Sequence, residues 1–557
     1  MRKTNVKQLA LATLLIALSA CGGGYTTPPG ETGVTLDVTT ASLHVNESVR
    51  ITATVHNSSN TDVTWNLSGA GCSGSTCGTF SIGGPPYFTA TYTAPASVPS
   101  PATVTLTATS VADASKSASA TITILEAERG WAFVSGDETA PQWSAPGGRM
   151  GAVSWIDSSG RFWLFGGYGY NFNEGNEGSR NDLWWYGPLS FGGDYGWTQV
   201  SGGLSVNQAG TYGTQGTADP SSLPGGRDVA ASWIDSSDKL WLFGGIGYDS
   251  VGNYSYLNDL WKYDPTALEW TWVSGSNTAG QAGIYGIRGT PDPSNVPGAR
   301  GGATSWFDRQ GAFWLFGGYG CDAAGNTGEL NDLWKYDPTN FEWTWVSGSN
   351  TVDQAGAYGT QGTADPSNVP GGTYAAVSWL DSQGKLCLFG GYGYDSAGNH
   401  GILSNLWKYD PTTFEWTWVS GSKSVNQAGI YGTQGTADSS NVPGARYRAV
   451  SWLDSQGKLW LFGGVGYDSA ETLGGLNDLW RYDPATLEWT WVSGSMTANQ
   501  AGLYGTQGVS DPANVPGARE MSVSWIDSSG KLWLFGGYGL DYLGNAFYLN
   551  DLWQYIR

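Results

Sequence analysis

Leu240-Trp241-Leu242-Phe243-Gly244-Gly245 decides how this chain is read. A run apolar at every position implies a strand buried on both faces. The glycine pair ends it where the backbone must approach a neighbour closely or adopt a positive φ. Leu-Phe-Gly-Gly recurs with its first glycine at Gly166, Gly244, Gly317, Gly390, Gly463 and Gly536, at intervals of 78 and then 73 residues. A Ser-Trp pair keeps step at Trp155, Trp233, Trp306, Trp379, Trp452 and Trp525. So long a fixed period means one supersecondary unit stacked on copies of itself.

The second unit shows what each copy contains. Arg227 to Asp235 (RDVAASWID) reads as one strand and Leu240 to Phe243 as the next. Asn258 to Tyr263 alternates, Asp264-Pro265 makes a turn, and Glu269 to Val273 places two tryptophans on one face. Each unit is therefore expected to be a four-stranded antiparallel sheet. Composition agrees: 84 Gly and 30 Trp, with 13% charged residues, suit short strands and tight turns. A net charge of −21 with scattered lysines excludes a nucleic-acid partner, which needs clustered cations.

Residues 131–557 resemble a kelch β-propeller. The Gly-Gly after an apolar strand carries the likeness, with an Arg before the first strand and the spaced pairs Tyr263/Trp270, Tyr336/Trp343, Tyr409/Trp416 and Tyr482/Trp489. Kelch units usually run to about 50 residues; here the surplus lies in Gly/Pro-rich linkers such as SGSNTAGQAGIYGIRGTPDPSNVPGAR. The resemblance implies an all-β fold with a six-bladed propeller. The sixth unit stops after its third strand, at Trp553 to Arg557, and residues 131–136 (WAFVSG) match the absent fourth. That N-terminal strand is expected to complete the last blade and hide both edges.

Upstream, residues 34–126 alternate with period two, as in Val104-Thr105-Leu106-Thr107-Ala108-Thr109, and predict a small β-sandwich with Trp65 in its core. The phrases YTAP, VTLTATS and SASATITI resemble bacterial immunoglobulin-like domains, which implies a spacer. Cys72 and Cys77 flank a four-residue loop and are expected to form a disulfide in an oxidising compartment. Cys321 and Cys387 stand alone; Cys387 occupies a position that is Trp in sister units and reads as a small buried apolar residue.

The first residues read as an export signal: Arg2, Lys3 and Lys7, then an apolar run from Leu9 to Ala17 too short to span a bilayer. Leu18-Ser19-Ala20-Cys21 resembles a bacterial lipoprotein signal, which implies cleavage before Cys21 and lipid on it. Gly22 follows, not the Asp of an inner-membrane retention signal. Residues 1–20 are thus the signal peptide and 21–33 a tether. Removing the signal takes three cations and no acids, moving the charge from −21 to −24.

Little catalytic chemistry is expected. A galactose-oxidase copper site needs two His and two Tyr, and the repeats contain one histidine, His400. Zinc and Ser-His chemistry fail for the same scarcity. The stretch Ser524 to Trp533 faintly resembles a sialidase Asp box, but its position suits a capped hairpin turn. Asp249, Asp322, Asp395, Asp468 and Asp541 open loops as turn residues; calcium would require them to converge.

Two series are candidate binding residues. Arg149, Arg227, Arg300, Arg446 and Arg519, broken by Thr373, would form a ring in a propeller. They could grip carboxylates or sugars, or satisfy carbonyls between blades. Tyr212, Tyr285, Tyr358, Tyr431 and Tyr504 lie in the linkers, which form either an aromatic platform or a cap folded onto the propeller. The expected protein is a monomeric outer-membrane lipoprotein without cofactor or metal, more a binder than an enzyme. Its partner is a polysaccharide or surface protein met through the linker face. Sialic-acid mutarotases share the kelch propeller, and that likeness implies one competing reading, an enzyme on sugar acids using axial arginines. A purely structural envelope protein is the other.

Overall fold

The computed structural model describes residues 31–45, 47–83, 88–126, 129–138, 146–171, 175–188 and 195–557. The expected signal peptide, most of the expected tether and Cys21, the expected site of lipid attachment, lie outside the described residues. The chain divides into two compact units, Met1–Glu126 and Ala127–Arg557. Among the described residues no helix is long and apolar enough to cross a membrane.

The first unit has two four-stranded sheets. Gly33–Leu36, Ser48–His56, Thr89–Thr93 and Thr79–Ile82 form one; Thr40–His44, Ser117–Leu125, Thr103–Ser110 and Val63–Ser68 form the other. Both feed a single core that includes Ile51, Tyr92, Trp65, Leu106 and Ile122. Strict alternation in Thr103–Ser110 puts Val104, Leu106 and Ala108 inward, as a sheet with one buried face requires. Cys72 and Cys77 are joined by a disulfide around the turn Gly74–Cys77.

Among the described residues of the second unit, a four-stranded antiparallel set recurs six times, in places joined by a short fifth strand or accompanied by a short three-stranded sheet. The second consists of Ala231–Ile234, Leu240–Tyr248, Tyr254–Asp264 and Glu269–Ser274. Its Leu-Trp-Leu-Phe strand is at most 3% exposed because its two faces serve two neighbours. Leu240 and Leu242 pack with Trp155 and Trp163 of the preceding sheet. Trp241 and Phe243 pack with Phe313 and Trp334 of the following one. Gly244, at φ +62°, allows this approach: a Cβ there would lie 2.8 Å from the Arg300 carbonyl oxygen of the next sheet.

RDVAASWID is not one strand. It splits into Arg227–Asp228 and Ala231–Ile234 around Val229, at φ +48°. The same break falls at Gly151, Gly302, Ala375, Arg448 and Met521, all with positive φ. Its cause is a ring of backbone hydrogen bonds. Val229 N–H donates to Gly151 O, Gly302 to Val229, Ala375 to Gly302, Arg448 to Ala375 and Met521 to Arg448; Gly151 donates to Met521 and closes the circle, all at 2.7–2.9 Å. A left-handed residue can aim its N–H at one neighbour and its carbonyl at the other. An extended residue would point both within its own sheet. The six sheets thus surround one shaft.

Gly130–Ser135 is the outer strand of the sixth sheet, with Trp131 opposite Tyr555 and Phe133 opposite Trp553. The linkers do not form an open platform. Each lies back along the outer strand of the sheet that follows it. Ala364–Asp365 pairs with Glu415–Ser420, and Ala437–Asp438 with Glu488–Ser493. Asn295 Nδ2 donates to Trp343 O at 3.0 Å in the third sheet. The surplus length thereby pairs edges that would otherwise be open to another chain.

Candidate functional site

The five arginines of the repeat do not face a ligand. Arg300 is 1% exposed, and its Nη1 and Nη2 reach Asp332 Oδ1 and Oδ2 at 2.6 and 2.8 Å. Its Nη1 also donates to Gly317 O at 3.0 Å, and its Nε to Gly298 O at 2.9 Å. The same carboxylate accepts from Tyr285 OH at 2.6 Å and Trp334 Nε1 at 2.7 Å. Arg149–Asp182, Arg227–Asp259, Arg446–Asp478 and Arg519–Asp551 repeat the pair. Burial works against the charged guanidinium of Arg300, yet the facing carboxylate outweighs it and the pKa is raised. These side chains hold five of the sheets together, and in four of them the same aspartate also pins the linker.

The linker tyrosines share that fate. Tyr212, Tyr285, Tyr431 and Tyr504 are at most 5% exposed, and each hydroxyl donates to the Asp of its sheet at 2.6 Å. Tyr358 is equally buried but meets Asn405 Nδ2 instead. The fourth unit replaces both halves of the ion pair at once, Thr373 for the arginine and Asn405 for the aspartate. Replacing only one would have buried an uncompensated charge.

Other polar repeats are also internal. Asp249 accepts from the backbone N–H groups of Val251, Asn253 and Ala279, which hold its carboxyl below the usual range despite its desolvation. Among the described residues no cluster of three or more His, Cys, Asp or Glu could hold a metal ion. Five hairpin aspartates accept from an indole, as Asp527 does from Trp533 Nε1 at 2.9 Å, while Asp381 of the fourth unit, where Cys387 replaces the indole, pairs with Lys408. Cys321 and Cys387 are buried, and burial pushes the Cys387 thiol up to about 12.

What remains is the shaft and its rim. A cavity of about 240 Å³ runs along it, lined by Val229, Ser232, Ser305, Ala375, Arg448 and Met521. The short strands leading into the hydrogen-bond ring supply the rim: Met150, Asp228, Gly301, Tyr374, Tyr447 and Glu520. Arg448 Nη1 reaches Glu520 Oε2 at 2.9 Å, and its guanidinium lies 5.0 Å from the Tyr447 ring centre. Half-buried tyrosines adjoin one another around the rim, Tyr256–Tyr319 at 5.5 Å, Tyr319–Tyr374 at 6.0 Å, Tyr374–Tyr392 at 5.7 Å and Tyr392–Tyr447 at 5.4 Å. His400 Nε2 lies 2.8 Å from Glu329 Oε1, and the His400 ring sits 4.7 Å from that of Tyr392.

A family model of the KLHDC2/KLHL20/DRC7 Kelch-repeats domain matches residues 211–420, the second to fourth units. The fold is a kelch-type β-propeller. Among solved structures, that of YjhT is 15% identical, covers 73% of this chain and 94% of its own, and has a TM-score of 0.42. Domains 4–9 of the surface layer protein SbsC are 10% identical, cover 93% of this chain and 81% of their own, and have a TM-score of 0.13. No curated protein matches the chain.

Within the propeller, Asp228 is electrostatically distinct. Burial pushes its carboxyl up to about 7, against the Ser179 hydroxyl and the charge of Arg448. An unfolded aspartate titrates near ~4. Between these values the folded chain keeps a proton that the unfolded chain has lost, so this group makes stability fall as pH rises from about 4 to about 7. Asp228→Asn should remove that slope and raise the melting temperature at neutral pH relative to the parent. Equal pH profiles for the two proteins would contradict the assignment.

Proposed function

We propose that the propeller rim binds a saccharide and that the protein is a non-catalytic binding module of a bacterial envelope. In this reading, lipid on Cys21 holds the chain to the outer membrane and the first unit serves as a spacer. A kelch-type propeller is compatible with a binding or structural role. Variation among the units argues for binding. The residues that enter and form the axial ring differ in every unit, from Met150-Gly151 to Asp228-Val229, Gly301-Gly302, Tyr374-Ala375, Tyr447-Arg448 and Glu520-Met521. A scaffold has no need to vary them while its tryptophans repeat. Tyrosine suits a saccharide because the ring packs on apolar sugar faces while its hydroxyl stays wet.

The test is a glycan array probed with the parent and with Tyr447→Ala. The parent should retain a defined saccharide class; the variant should lose it at an unchanged melting temperature. No retained glycan, or equal retention by the variant, would remove this reading. A second reading, conversion of a sugar acid, draws on Arg448 and on the raised pKa of Asp228, which keeps a proton-transfer group poised near neutrality. Consumption of the sugar acid, rather than its retention, would favour that alternative.

A further inference from the structure

The seam between the fifth and sixth sheets differs in charge from those closed by the second to fifth sheets. In the second to fifth sheets a tight turn joins the last two strands, and its ends face each other as Asp264–Glu269, Asp337–Glu342, Asp410–Glu415 and Asp483–Glu488. In the sixth sheet these strands come from distant parts of the sequence, so no turn joins them. The facing pair there is Ile556–Gly130. Two acids have gone, and the flanking residues are Arg557 and Arg129.

A third guanidinium joins them. Arg481 takes the place of Lys262, Lys335 and Lys408 in sister sheets and lies 5.7 Å from the Trp460 ring centre. Arg129 and Arg481 both act electrostatically on the buried Tyr555 hydroxyl, which burial pushes up to about 12. The three arginines, with Tyr555, Asp454 and Gln456, line a cavity of about 640 Å³. Arg557 is committed to Asp454, at 2.8 Å. Arg129 and Arg481 form no ion pair or hydrogen bond with any described residue; the acid that Arg481 acts on electrostatically, Asp483, is already ion-paired with Lys458 at 2.9 Å.

We propose that this seam is a second binding site, separate from the rim, for a small ligand bearing a carboxylate or phosphate. Two uncommitted guanidinium groups at one cavity are matched by a planar or tetrahedral oxyanion, which accepts paired N–H bonds from each. On a chain of net charge −21, an anion meets repulsion over most of the surface. A local site of opposite sign is therefore selective. Arg481 is held in place by its indole, so it loses little freedom when the ligand arrives.

The experiment is calorimetric titration of the full chain with glucuronate, inorganic phosphate and, as a neutral control, glucose. One of the anions should bind saturably, and more weakly as salt rises. A glucuronate preference assigns an acidic saccharide; a phosphate preference assigns a phosphorylated ligand. Arg129→Gln and Arg481→Gln should each weaken binding about tenfold, the loss of one charge-assisted contact. Arg129 is exposed, so its variant tests the site without disturbing packing. The proposal fails if neither anion binds, or if both variants bind like the parent.

Discussion

Arg300→Ala is expected to destabilise the propeller by about 3–5 kcal/mol, the usual cost of leaving one member of a buried pair alone. Asp332, with no solvent access, would lose both guanidinium contacts while keeping those to Tyr285 and Trp334. The Gly298 and Gly317 carbonyls would each lose a donor as well. The double exchange Arg300→Thr with Asp332→Asn should cost much less, because it copies the neutral solution already present at Thr373 and Asn405. Chemical denaturation of the parent, Arg300→Thr, Asp332→Asn and the double variant measures the coupling. A double variant as unstable as Arg300→Ala would mean that the ion pair itself, not the relief of a stranded charge, holds the sheet. Because Tyr285 donates to the same carboxylate, the single variant should also loosen the linker, seen as faster amide exchange around Tyr285.

That fourth-unit exchange was readable in the sequence. Thr373 for Arg and Asn405 for Asp occur in the same unit and nowhere else, which points to a contact between them. Likewise each linker tyrosine precedes the Asp or Asn it meets by 47 residues, as Tyr285 does Asp332. A constant offset marks a fixed internal partner rather than a binding platform. The blade itself was legible because Leu240 to Phe243 is apolar at every position, and only a strand packed between two neighbours needs that. The rim was not legible from periodicity. Asp228-Val229 lies inside a stretch with good strand propensity, and Val229 is a poor residue for positive φ. Closure of the backbone ring overrides that preference. The available signal was of another kind: the two-residue axial pair is different in each of the six units, against a nearly constant background of tryptophan and glycine.

Removing residues 130–135 should abolish the single cooperative unfolding transition of the propeller. Trp131 has no exposed surface; it lies 5.2 Å from both Phe462 and Tyr555 and 6.5 Å from Trp553. Burying an aromatic of this size hides ~150–250 Å², roughly 4–6 kcal/mol at about 25 cal/mol per Å², as an upper bound. Phe133 contributes a second ring, packed 5.0 Å from Tyr504. Those two side chains alone rival the ~5–15 kcal/mol that separates a typical domain from its unfolded state. The strand also accepts hydrogen bonds from Asn514 Nδ2 at Trp131 O, Gly508 N at Phe133 O and Gln507 Nε2 at Val134 O, so the last linker would lose its seat. Calorimetry of the truncated chain should show a broad transition at much lower temperature. A synthetic peptide spanning residues 129–136, added in trans, should restore the sharp one. A truncated chain that melts like the parent would show that the remaining three strands of the sixth sheet suffice to close the ring. Rescue by the peptide, in contrast, would place the decisive free energy in the outer strand and its two aromatic rings.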